Sequence, residues 1–192
     1  MPPKIPMAVA VCSGLALAAY AITEKLSVEL HGDQLFVSAP KVDLIRGPVL
    51  TRLKDGGTVA FDFHLALWAG SRSSVRRRSF ERFVVSYDLW EEKYAVTNLR
   101  KPAASASGLT DNAIGKWCLE HISIASPNVG ASEPVWVGLE IRTADTRQDT
   151  ELFSAGGISL IGLVDLLSRP ARPGEMRWSL ETGPLMLHEV RR

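Results

Sequence analysis

Five arginines crowd into eleven residues: Arg72, Arg76, Arg77, Arg78 and Arg82. A guanidinium is a planar cation with several donors, so such a cluster suits phosphate, sulfate or carboxylate groups. The structural alternative is a long hairpin loop that carries charge for solubility and to discourage edge pairing. A second candidate lies just upstream, where Asp62 and His64 stand two apart. On a strand that spacing puts both side chains on one face, within reach of one metal ion or one substrate. A metal would need a third ligand from His31, His121 or His188, none of which stands at a recognisable ligand spacing. Acid–base work by His64 with Asp62 is the hydrolase-like alternative, and an exposed polar sheet face is the plain one. A third candidate is aromatic: Trp68, Trp90 and Trp136 are expected opposite the main apolar set, as a partner platform or beneath a covering helix.

Other chemistries lack their residues. The sequence contains no G-x-S-x-G, H-E-x-x-H or C-x-x-C motif and no phosphate-binding glycine loop, so no cofactor is expected. Cys118 stands among Trp117, Leu119 and Ile122, a setting that reads as core. With 22 lysines and arginines against 21 acids, global charge gives no pull toward nucleic acid.

The elements that must hold these residues are mostly strands. Leu26, Val28 and Leu30, then Leu35, Val37 and Ala39, alternate around a turn at residues 31–34. Residues 49–57 read as a short helix with Pro48 near its start and glycine past its end. The strongest strand is 58–68, with Val59, Phe61, Phe63, Leu65 and Leu67 on one face. Five large apolar side chains on one face require a second layer. After a loop at 69–78, a second long strand spans 80–90 with Phe83, Val85, Tyr87 and Leu89 on one face, and a third spans 94–99. Residues 100–108 read as a small-residue linker, 110–121 as a helix capped by Thr110, and 135–141 as a fourth long strand. Residues 143–150 are polar, and the apolar run at 158–168 is a buried helix stopped by Pro170 or a core strand. Residues 176–180 and 185–190 close the chain as two strands.

The expected fold is mainly β: one domain over residues 22–192, an antiparallel β-sandwich or strongly curved sheet with two packed helices. The alternative is an α+β fold with the sheet covered on one face. Residues 1–21 have the pattern of a secretory signal: Lys4, an apolar run, then Ala19-Tyr20-Ala21 with small residues at the expected cleavage positions. Ile22 extends the apolar run toward membrane-spanning length, which leaves a retained anchor as the alternative.

Residues 53–57 followed by Val59-Ala60-Phe61-Asp62-Phe63-His64, the arginine-rich gap, then Ser86-Tyr87-Asp88-Leu89 and Tyr94-Ala95-Val96-Thr97, resemble a family of small exported bacterial proteins of unknown function. The resemblance covers residues 49–99, with residues 135–141 following loosely. It implies an extracytoplasmic domain and supplies no catalytic residue. The functional expectation is therefore an exported, periplasmic or membrane-anchored binding module of the bacterial envelope. It would be monomeric, meeting an envelope protein or lipid through Arg72, Arg76, Arg77, Arg78 and Arg82. A carrier of an apolar ligand and an enzyme using Asp62 and His64 are the competing classes.

Overall fold

The structure is a computed structural model that describes residues 26–73, 75–100, 102–126, 128, 132–144 and 175–190. The signal-like residues 1–21 and the apolar run at 158–168 lie outside the described residues. No helix among the described residues is long and apolar enough to cross a membrane.

The fold is mainly β, with two antiparallel sheets and two helices. Strands β1 (Ser27–His31) and β2 (Gln34–Ser38) form a hairpin whose two-residue turn places Gly32 at φ 63°, a conformation that glycine adopts without steric cost. Strand β7 (Ser123–Ala125) pairs with β2 and completes a three-stranded sheet in the order β1-β2-β7. Six further strands form the larger sheet: β3 (Val59–Ala69), β4 (Val75–Asp88), β5 (Lys93–Asn98), β6 (Ala104–Leu109), β8 (Val135–Ala144) and β9 (Arg177–Leu185). Their order is β6-β5-β4-β3-β8-β9, so β3 and β4 are central.

Alternation along β3 does what the sequence predicts. Phe61, Phe63, Leu65 and Leu67 face inward with Phe83 and Val85 of β4 and Val137, Leu139 and Ile141 of β8, all of them buried. The second layer over this inner face is built from three pieces. β7 and helix α1 (Pro48–Lys54) touch β3 and β4, while helix α2 (Asp111–Glu120) touches β2 and β5. Pro48 opens α1, where its missing N–H costs nothing, and Val49 and Leu53 are its buried positions. Trp117 of α2 meets Phe83 edge to face at 6.0 Å. Trp178 of β9 packs at 6.2 Å from Phe61, with the Arg46 guanidinium 5.6 Å from its ring. Cys118 is buried in the same layer, and burial pushes its thiol pKa far above the usual range, as expected of a core residue.

Several boundaries differ from the sequence reading. β4 begins at Val75, so Arg76, Arg77 and Arg78 stand on a strand rather than in a loop: Arg78, Arg77 and Val75 pair with Ala66, Leu67 and Trp68 of β3, and Arg76 falls at the bulge between the last two pairs. Residues 104–109 form an edge strand rather than a linker: small side chains cost β5 no space, and backbone pairing supplies the order. β9 is one strand ending at Leu185 instead of two strands. Leu89 and Trp90 leave the sheet at the β4–β5 turn, 56% and 96% exposed, where Asp88 Oδ1 accepts the Trp90 and Glu91 backbone N–H groups. Helix α2 lies against the inner face, so it does not cover the tryptophan face.

Candidate functional site

The outer face of the larger sheet is ordered in rows that run across its strands. The first row joins Arg82 of β4, Asp62 of β3, Arg142 of β8 and Arg177 of β9. The second joins Phe80, His64, Glu140 and Ser179; the third joins Arg78, Ala66, Gly138 and Glu181. Trp68 and Trp136, paired between β3 and β8, bound the third row on its far side.

The first row is not the exposed polar face expected from the sequence. Asp62 is 1% exposed, and Arg82 and Arg142 are 6% exposed. Arg82 Nε and Nη2 donate to Asp62 Oδ1 and Oδ2 at 2.5 and 2.6 Å, a bidentate pairing that occupies both carboxylate oxygens. Arg142 Nε donates to Glu140 Oε1, and Arg177 Nη2 donates to Glu140 Oε2 at 2.9 Å. Each buried charge of this row therefore has an opposite charge in contact, Arg82 with Asp62 and Arg142 with Glu140, which is what makes their burial tolerable.

His64 sits beside that network, 8% exposed and 4.6 Å from the Phe80 ring. Its Nε2 is buried and has no hydrogen-bond partner among the described residues. Burial lowers its pKa from 6.5 to about 4; Glu140 opposes the shift, and Arg142, Arg82 and Arg78 add to it. The imidazole is thus neutral at pH 7, and so weak a base is poorly matched to proton abstraction. Asp62, committed to Arg82, is not placed to orient it. His31 pairs with Glu29, and His121 stacks on Trp117 at 3.7 Å. Among the described residues no three His, Cys, Asp or Glu side chains converge to hold a metal ion.

The third row makes a depression. Its two central positions, Ala66 and Gly138, have almost no side chain, while Phe80, His64 and Trp68 rise around them and leave a cavity of about 270 Å³. Gly138 is required there because the Trp68 ring lies on it; a Cβ would come within 2.9 Å of Cη2 and Cζ3. The cavity ends at Arg78 on β4 and at Glu181 on β9. Glu181 is paired with Arg72 at 2.6 Å, and Glu140 is held by Arg142 and Arg177. Arg78 has no carboxylate partner among the described residues.

No protein-family model, no curated protein and no solved structure matches this chain. The site stands on its own geometry.

That geometry divides the arginine cluster. Arg72 reaches Glu181 from the turn, Arg76 approaches Glu133 at 3.5 Å, and Arg82 is buried against Asp62. Arg77 pairs with Leu67 in register and so falls on the side of the sheet opposite Arg78. The five arginines are therefore not one surface. What the sequence reading missed is the depression itself, formed by residues 66 and 138, which lie 72 positions apart on neighbouring strands. A small residue on each of two strands becomes a signal only once the register is known.

Proposed function

We propose that this chain is an extracytoplasmic binding module of the bacterial envelope, without catalytic work of its own, that meets an anionic envelope component at the arginine end of its larger sheet. The observation that carries the reading is the cavity over Ala66 and Gly138, whose rim acids Glu140 and Glu181 each have arginine partners while Arg78 has none among the described residues. A cation left uncompensated beside an apolar hollow favours an anion there. The signal-like pattern of residues 1–21 supports the export, and the resemblance over residues 49–99 supports the envelope setting.

An acid–base reading of Asp62 and His64 draws no support from the site, since the aspartate is committed to Arg82 and the imidazole is a weak base. The reading is tested by retention of the purified protein on its own envelope fraction at stepped salt. Replacing Arg76, Arg77 and Arg78 by serine is expected to abolish salt-sensitive retention with little change in melting temperature, because exposed charges contribute little to stability. Unchanged retention would remove the reading.

A further inference from the structure

The hollow beside Arg78 also has a shape, and shape narrows the ligand. Its floor is Ala66, which has no side chain beyond Cβ, beside Gly138, its register partner, over which the Trp68 ring lies. Two aromatic side chains bound it, Phe80 in the row on one side and Trp68 on the other, and Trp68 is fixed by its contact with Gly138. Aromatic walls suit flat, polarizable bodies. A volume of about 270 Å³ is at the small end of ligand pockets and has room for a body of one or two rings.

Charge sets the polarity. The acid at the β9 end is already met by Arg72, at 2.6 Å, whereas the guanidinium at the β4 end is unmatched among the described residues. A carboxylate is a planar partner for that guanidinium. His64 lines the cavity, its Nε2 buried and without a hydrogen-bond partner among the described residues.

We infer that the cavity over Ala66 and Gly138 is a binding site for a small planar organic carboxylate, with the ring system between Phe80 and Trp68 and the carboxylate on Arg78. This rests on the reading of the arginine end as a recognition surface, and it names the ligand class. Strand alternation supplies an internal control, because Arg77 is adjacent in sequence but on the opposite side of the sheet.

The test is calorimetric titration of the full chain with 2-naphthoate, 2-naphthamide and acetate. Naphthoate is expected to bind at least about 10-fold more tightly than naphthamide, since the amide lacks the charge-assisted bond, and acetate is expected not to bind measurably. Arg78→Gln brings naphthoate down to the naphthamide level, Arg77→Gln leaves it unchanged, and Ala66→Leu, which fills the floor, abolishes both. Melting curves of each variant establish that it is folded. Equal binding of acid and amide, an equal loss from Arg77→Gln, or no naphthoate binding at millimolar concentration overturns the inference. Should envelope retention still depend on the three arginines in that case, the recognition surface stands and only the ligand class falls.

Discussion

Asp62 and Arg82 face each other in register across β3 and β4, both buried, with both carboxylate oxygens accepting hydrogen bonds from one guanidinium. Removing one partner leaves the other as an uncompensated buried charge. Asp62→Ala is expected to lower unfolding free energy by about 3–5 kcal/mol in urea titrations. The double variant Asp62→Leu with Arg82→Leu is expected to lose less than the two single variants together, since it removes both charges and keeps apolar volume. Additive losses would mean that the pair acts as two independent residues.

His64 gives the protein an acid sensitivity whose sign follows from its lowered pKa. The unfolded chain takes up a proton near pH 6.5, the folded chain near pH 4, so the unfolded state binds more protons between those values. Stability is then complete above about pH 6.5 and falls as pH drops toward 4, by about 3 kcal/mol from this one group. His64→Gln is expected to flatten the stability profile across that window relative to wild type. Parallel profiles for the two proteins would contradict the burial of a neutral imidazole.

Gly138 carries the Trp68 ring, and the contact leaves no space for a methyl group. Gly138→Ala is expected to cost about 1–3 kcal/mol by overpacking and to shift tryptophan fluorescence. Adding Trp68→Leu should relieve much of that cost. No relief would place the penalty in the β8 backbone rather than at the ring.

Cys118 is buried with a raised thiol pKa, so a thiol reagent at pH 8 is expected to label it only after unfolding. Rapid labelling of the native protein would show that the layer over Phe83 opens.

What was legible in the sequence was what repeats locally. The period of two in residues 59–67 fixed the inward set Phe61, Phe63, Leu65 and Leu67, and the helical spacing of Ile114, Trp117 and Cys118 located α2. The arginines were recognisable as a cluster, but their separation was not, because a bulge between Leu67 and Trp68 and the early start of β4 decide which side each one takes. Asp62 and His64 were correctly placed on one face, yet their burial depends on partners at 82, 140 and 142, which no local pattern announces. Residues 104–109 escaped notice because alanine, serine and glycine carry no amphipathic signal, and only their pairing with β5 makes them a strand.

The most direct test of the account is native mass spectrometry of the protein purified from its own envelope fraction at low salt, comparing wild type with the Arg76, Arg77 and Arg78 serine variant. Wild type is expected to carry a co-purifying anionic component that leaves as ionic strength rises, and the variant, equally folded by its melting temperature, is expected to carry none. The same adduct on both proteins, or a wild type without any adduct, would contradict recognition at the arginine end of the sheet.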